Sequence, residues 1–532
     1  MVLVAVGILW LPGLSPIGLS AQQPDSVAPT PSIIRTIRLD RRNVYGEAEA
    51  TSFLPRLVNG LRVATRPGVV TRELLFEVGE PFDSTRVAET ERNLRRLGIF
   101  RIVRVDTTRV DGGLAVTVHT QDAWSTTPDF TIRSTGTQTA WRVSLVEQNL
   151  LGTASLFALS YARDPDRDAF QIAFSQPRLI ANQIGVGFYL DDRSDGRILS
   201  GQVSQPFLRM ESPRAWLVSA EGRDERILRY IGGERIASDT AQRDLGMFAA
   251  SLGWALHANA QEYLRLGVGG RIWQDIFGTA DSIPASGPTY GAISAGLEWR
   301  RARFVVTRGF RASRDEDVDL STTVRAGLGF TPQGWGFTEH GVVPSLVART
   351  GAVISSRVFG YLDLAAHGRF TAAGLDSGSV QTGATVVAVP AEGHAAVFHA
   401  WGGWLHHPRP GGEFDLGLGL GPRGYRLHAY SGDRGVFATA EYRYMAFQDF
   451  LKLADIGVAG FVDWGGAWYQ GSKVRTGWDL GAGLRLGPSR STDLFLNRFD
   501  LVYRGGNEIE PAGWVVVIGK GLVFSTNGIL NR

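Results

Sequence analysis

Apolar and polar positions follow one rhythm up to about residue 125 and another after it. In the first part the periods are mixed. Residues 33–39 (IIRTIRL) predict a strand with Ile33, Ile37 and Leu39 on one face. Residues 41–65 are irregular and read as an inserted loop. A short helix is expected after Pro67, over VVTRELLF, and a second after Asp83-Ser84, running to Leu97 with Val87, Leu94 and Leu97 on its apolar side. Asp83 or Ser84 supplies the N-cap, and Gly98 stands where a C-cap is wanted. Segments 99–105 and 113–119 then alternate as strands about a turn at Asp111-Gly112. The order β-α-α-β-β predicts a small α+β domain over 33–124, helices on one face of a mixed sheet.

From Pro128 the helical period is gone. Segments of about ten alternating residues recur, closed by turn residues, which is the pattern of a transmembrane strand. Examples are 154–163, 168–177, 184–193, 196–206, 263–273, 435–447, 456–469 and 474–487, and Ser175-Gln176-Pro177 returns as Ser204-Gln205-Pro206. Short turns such as 164–168 alternate with longer polar connections such as 225–244 and 305–318, as between the two ends of a barrel. A propeller or solenoid needs a fixed repeat period, and none is present. The expected fold class is therefore mainly β: an antiparallel transmembrane β-barrel over 128–524, with a tail at 525–532. Trp141, Trp216, Trp273, Trp299, Trp464 and Trp514 lie near predicted strand ends, where aromatic girdles form.

The first 21 residues, MVLVAVGILWLPGLSPIGLSA, read as a secretory signal peptide ending at a small residue, followed by a Pro/Ser-containing linker over 22–32. After it no stretch approaches the ~18 apolar residues of a spanning helix. A chain that enters the membrane without such helices does so as a closed barrel. With export, that places the protein in a bacterial outer membrane.

Composition adds exclusions. There is no Cys, so neither a disulfide framework nor a thiolate metal site is available. The formal charge of +3 over 532 residues makes no case for nucleic acid. Gly419, Gly421 and Gly424 match a dinucleotide fingerprint in spacing, but no helix follows and no βαβ unit surrounds them. His406-His407 point to opposite sides of an extended segment, and Asp164, Asp166 and Asp168 lack the flanks of a calcium loop. No nucleophile elbow, zinc helix or phosphate loop is found. The expectation is no enzyme, no catalytic residue, no metal and no cofactor.

One constellation carries chemistry. On 456–469, Ala459, Phe461, Asp463 and Gly465 share a face, opposite Val458, Val462 and Trp464. The second face suits lipid, so Asp463 points inward. On 435–447, Thr439, Glu441 and Arg443 oppose Ala438, Ala440, Tyr442 and Tyr444, so Glu441 also faces the lumen. Arg423, in the loop before these strands, has the fork to bridge both carboxylates. The competing reading is a solvated arginine in a glycine turn.

Several motifs resemble the BamA/TamA-type outer-membrane β-barrel assembly superfamily. Residues 67–105, with Gly79-Glu80-Pro81-Phe82 and Asn93-Leu94…Leu97-Gly98-Ile99-Phe100, look like a POTRA domain. Glu147-Gln148-Asn149-Leu150-Leu151-Gly152 resembles an element after the family's first hairpin. Gly421-Pro422-Arg423-Gly424-Tyr425 resembles the tip of the loop that folds into the lumen, and Phe461-Val462-Asp463-Trp464-Gly465 the strand motif that receives its arginine. The resemblance implies a lumen lock of Arg423, Gly424, Tyr425, Glu441, Phe461, Asp463 and Gly465, with Phe524 as the terminal aromatic of a barrel signal. It implies sixteen strands, whereas the alternating segments number closer to twenty. Its implied function is insertion or export of polypeptide clients through a seam between 128–136 and 513–524. Implied partners are unfolded outer-membrane or secreted clients, outer-membrane lipids, and accessory periplasmic or lipoprotein subunits. The POTRA-like domain would stand in the periplasm. The alternatives are a dedicated two-partner-type secretion transporter and a passive pore or structural barrel.

Overall fold

The computed structural model describes residues 32–524, apart from 47–52, 62, 135–137, 181–182, 237–239, 280–283, 285, 309, 311–314, 419 and 492–495. The expected signal peptide, the linker up to residue 31 and the tail lie outside the described residues.

The N-terminal unit is a three-stranded sheet in the order β1 (Ile34–Arg42), β3 (Gly113–Asp122), β2 (Phe100–Val110), with β1 parallel and β2 antiparallel to β3. Helix α3 (Ser84–Arg96) begins where Asp83 accepts a hydrogen bond from the Thr85 amide at 2.8 Å, and stops before Gly98 in the left-handed region. Leu94 of α3 meets Ile34, Val70, Phe76, Val116 and Val118 in one apolar core. The helix after Pro67 is shorter than the sequence pattern suggests (α2, Pro67–Thr71). The expected loop at 41–65 instead contains a helix, α1 (Phe53–Leu61). Three apolar positions, Leu54, Val58 and Leu61, recur at helical spacing there, a signal too short to separate from loop composition.

The rest of the chain closes on itself. Twenty antiparallel strands form the barrel, from β4 (Thr126–Ser134) to Gly513–Lys520, each beside its predecessor in the wall. This corrects the sixteen implied by resemblance. Closure with both ends of the wall on one side needs an even number, which either count satisfies. The number is decided by how many alternating segments the chain supplies.

The alternation sorts side chains as the membrane requires. On Arg434–Phe450, Phe437, Thr439, Glu441 and Arg443 are buried while Tyr442 and Tyr444 stand outside. On Ala454–Trp468, Val458, Val462 and Trp464 stand outside. Exposed apolar side chains such as Phe248, Leu252, Ile272, Ile293, Leu297, Leu328 and Leu484 continue this belt around the wall. In water so large an apolar surface would drive aggregation; in lipid it costs nothing. Among the described residues no helix is long and apolar enough to cross a membrane. Trp299, Trp464 and Trp514 lie on the outer face as expected for girdles, but Trp273 does not. It sits on the opposite parity from exposed Ile272, inside the wall, stacked on Tyr290 at 5.5 Å.

Strand parity also sorts the connections. The chain enters the barrel from the N-terminal domain at Thr126, so every second connection lies at the domain end. By this count 164–167 and 228–240 share the far end, whereas the connection around 305–318 lies at the domain end. The expected sorting of short and long connections to opposite ends therefore fails, because loop length alone does not fix the end at which a connection lies. The described residues of the 305–318 segment do not stand on the surface: Phe304–Arg308 pairs with Asp315–Asp319, and Phe310, Val318 and Leu320 pack with Phe359, Tyr361 and Val397 of the wall.

The domain is fastened to its end of the barrel. Glu73 is paired with Arg178 at 2.7 Å, Arg95 grips Asp317 at 2.6 and 3.1 Å, and the Arg66 guanidinium donates to the Leu151 carbonyl at 3.0 Å. Asn149, in the Glu147–Gly152 element, donates to Thr65 at 2.8 Å and accepts from the Ala154 amide at 2.8 Å. Gly152 there has φ +72°, and a Cβ would lie 2.4 Å from the Ala64 carbonyl oxygen, so the turn requires glycine.

Candidate functional site

The longest connection described, 407–433, starts at the far end of the barrel and turns back into the lumen. Phe414, Leu416, Tyr425, Ala429 and Tyr430 of the loop bury themselves in a small apolar core with Leu405 and Ala467 of the upper wall. That packing delivers residues 421–425 to the middle of the barrel. Gly421, at φ +105°, makes the bend.

Arg423 ends there, 2% exposed. Its Nε and Nη2 donate to the two carboxylate oxygens of Asp463 at 2.7 and 3.1 Å, a bidentate fork. Nη1 donates to Glu441 at 3.1 Å, and lies 3.4 Å from Asp500. The guanidinium lies 3.5 Å above the centre of the Phe461 ring. The Gly424 amide donates to Asp479 at 2.8 Å, and the Tyr425 hydroxyl to the Gly505 carbonyl at 2.5 Å. Gly465 keeps a strand crossing open: a Cβ there would lie 2.5 Å from the Val436 carbonyl oxygen. All seven residues expected to form the lumen lock thus lie at or around one point, with Arg423, Gly424 and Tyr425 on the loop and the rest on two neighbouring strands.

The network is larger than the sequence reading. Arg485 donates to Asp500 at 2.5 Å and to Glu441 at 3.1 Å; Arg443 lies 3.2 Å from Glu441; Arg498 lies 3.6 Å from Asp500. Thr439 donates to Asp463 at 2.6 Å. Four guanidinium groups (Arg423, Arg443, Arg485, Arg498) are thus paired with three buried carboxylates (Glu441, Asp463, Asp500), while Asp479 lies beside Asp463 and is held by the Gly424 amide. Asp479 and Arg485 had a legible signal, since both fall on the inward parity of the 474–487 segment. Asp500 and Arg498 had none beyond membership of a late strand, Asn497–Arg504.

Phe524 does not end a strand. The last strand stops at Lys520, and Phe524 turns into the lumen, stacked on His399 at 4.1 Å and packed with Phe310 and Phe437. The lumen therefore holds chain from both ends: the 407–433 loop from one side, the 303–321 hairpin and residues 522–524 from the other. Arg443 joins the two, donating to the Phe310 carbonyl at 2.7 Å while facing Glu441. At the closure, β4 and Gly513–Lys520 share the sparsest contact of any neighbouring pair in the wall, with Lys520 bound to Asp129 at 2.8 Å.

His406, at the end of its strand, and His407, just beyond it, bind the Leu375 and Asp376 carbonyls of the neighbouring strand, and no cluster of metal-ligating side chains occurs among the described residues. Asp164 caps its own turn, accepting from the Asp166 and Arg167 amides at 2.8 and 2.9 Å. Asp166 instead reaches the tip of the long loop: His428 is held between Asp166 at 2.7 Å and Asp415 at 2.5 Å, stacked on Tyr230 at 4.0 Å. Burial opposes charge on this imidazole, but hydrogen bonds to Asp166 and Asp415 outweigh it and push His428 up to about 9.

No protein-family model matches the chain, and no curated protein is similar to it in sequence. Solved structures with a similar course include BamA from Haemophilus ducreyi lacking POTRA domains 1–3, at 12% identity over 92% of this chain and 84% of that one, with TM-score 0.37. CdiB from Escherichia coli is 12% identical over 92% of this chain and 76% of its own, with TM-score 0.46. Pseudomonas aeruginosa OccK10 (OpdN) is 11% identical over 74% of this chain and 98% of its own, with TM-score 0.34.

Proposed function

We propose that this protein is an outer-membrane barrel that inserts or exports polypeptide clients, with its POTRA-like domain (33–124) in the periplasm and its seam between β4 and Gly513–Lys520. The observation that carries the reading is the locked loop. A passive pore gains from an open lumen, whereas here a buried ion network holds a loop across it and a second segment fills the other end. Such an interior suits a wall that works at its side. Where the first and last strands part, each presents unpaired N–H and C=O groups, and an extended client adds to them by β-augmentation. The open edge of the domain sheet, at β1 or β2, offers clients the same kind of pairing before they reach the barrel. The locked loop keeps the barrel sealed and shaped while the seam works. Outer-membrane lipids and accessory periplasmic or lipoprotein subunits complete the expected partners. No nucleotide and no covalent step enters this scheme.

The test is depletion of the protein in its own cell, followed by quantitative proteomics of the outer membrane and the medium. A general fall in other β-barrels supports insertion, and loss of a single secreted protein points to a dedicated two-partner-type exporter. An unchanged proteome refutes both and leaves a pore or structural barrel.

A further inference from the structure

Between α3 and the domain end of the barrel lies a cavity of about 730 Å3, bordered also by the 206–213 connection and the 303–319 hairpin. Seven arginines and four carboxylates line it, an excess of positive charge in a chain that is otherwise nearly neutral. All four carboxylates are engaged within the protein, Glu316 among them. Asp317 holds Arg95, Asp319 holds Arg300 at 2.7 Å, and Glu89 accepts from the Met210 amide at 3.1 Å.

The lining also holds hydrogen-bond donors that the protein does not satisfy. Asn93, 4% exposed, accepts from Arg96 through its oxygen, while its amide nitrogen has no partner. The Nε groups of Arg265 and Arg300 are buried and unpartnered as well. All three orphans are donors; among the described lining residues no carboxylate or carbonyl side-chain oxygen is left over in the same way. Buried polar groups are ordinarily paired, so a donor-only surplus in one cavity calls for a ligand rich in acceptors.

The arginines are already held in place. The Arg265 guanidinium sits between Phe207 at 3.8 Å and Tyr263 at 3.5 Å, and Phe304 lies under both Arg92 at 4.9 Å and Arg300 at 5.9 Å. Groups clamped on rings lose little freedom on binding, which favours affinity. Burial pushes the Arg92 guanidinium below its ordinary value, against the opposing pull of Glu89 and Asp317.

We infer that this cavity is a binding site for carboxylate groups of an extended acidic polypeptide segment, at the point where chain passes from the N-terminal domain to the barrel mouth. The location selects a polypeptide over a lipid headgroup. Arg265 and Arg300 lie on the inward parity of their strands, opposite exposed Ile272 and Leu297, so the cavity opens inside the wall and a phospholipid would have to leave the bilayer to reach it. The inference deepens the client-handling reading and rests on it.

The experiment titrates the full-length protein in nanodiscs, by calorimetry, with a short soluble peptide bearing Asp at alternate positions. Its Asn counterpart and water-soluble dihexanoyl phosphatidylglycerol are titrated in parallel. The Asp peptide should bind, the Asn peptide about tenfold or more weakly, and Arg92→Gln with Arg209→Gln should weaken the Asp peptide about tenfold. Thermal stability should not change, because Arg92 and Arg209 border the cavity without closing the domain core; Arg96→Gln serves as a second variant if it does. Equal binding of the two peptides overturns the inference, as does an Asp peptide indifferent to both variants. Tighter binding of the phospholipid at the same arginines overturns it in favour of a lipid phosphate. An intact peptide site in cells whose proteome ignores depletion would instead sink the client reading and leave the site standing.

Discussion

Replacing Arg423 with Met tests whether the lumen loop is held by charge or merely by packing. The side chain supplies a two-pronged contact to Asp463 and one to Glu441, all in the buried interior. After the change Glu441 keeps Arg485 and Arg443, so the loss concentrates on Asp463. That carboxylate, fully buried, retains the Thr439 hydroxyl but no cation. Breaking a buried pair by removing one partner costs about 3–5 kcal/mol, most of it the stranded charge. The docked state of the loop should then lose a factor of about a hundred to several thousand relative to the undocked one. Gly424 and Tyr425 still contact Asp479 and Gly505, so the barrel itself should remain folded. Hydrogen exchange over residues 420–430, with proteolysis after Arg426, reads this directly. Adding Asp463→Asn should recover much of the protection, because the stranded charge is gone, and Arg423→Lys should fall between wild type and Met because it keeps charge but loses the fork. Unchanged protection in Arg423→Met would refute the argument and leave the apolar contacts of Tyr425 and Tyr430 as the fastening.

Other predictions follow from separate contacts. The His428 latch has a raised folded pKa, so its contribution of about 3 kcal/mol is complete below the unfolded value near 6.5 and is lost as pH rises through about 9; exchange at 426–430 should rise across that window, and His428→Gln should flatten the dependence. Arg178→Gln strands Glu73, which is buried and keeps Arg72 at 3.8 Å as its other ion-pair partner, and should loosen the domain from the barrel rim by about 3 kcal/mol, seen as faster exchange over 66–76 with the barrel unaffected. Gly477→Ala places a methyl against the Tyr430 hydroxyl and the phenol end of Tyr425 and should cost the docked loop about 1–3 kcal/mol, measured by the same protease. Finally, Asp129→Cys with Lys520→Cys, joined by a short bifunctional reagent, should arrest client passage if the seam opens, and unimpaired passage would place the working route elsewhere.

Much of the architecture was written in local pattern. Period-two alternation after Pro128 distinguishes lumen from lipid residue by residue, because successive side chains on a strand have no choice but to point to opposite sides. It therefore sent Glu441 and Asp463 inward and Tyr442 and Trp464 outward without any knowledge of their neighbours. It misled only for Trp273, where residue type was weighed above parity. The cap at Asp83 and the stop at Gly98 were equally legible, since helix ends are fixed by groups a few residues away.

What the tertiary structure decided is which inward side chains meet. Arg423 lies 77 residues from Asp500, and Arg95 lies 222 from Asp317. Whether such residues touch depends on register and on the path of a loop through the lumen, which only closure of the whole sheet sets. The twenty strands were foreshadowed by the count of alternating segments, whereas the place of the 305–318 connection at the domain end was not. Phe524 looked like a strand terminus in sequence but became a lumen residue. An aromatic near a chain end is apolar in either place, and only the position of the wall decides which surface it covers.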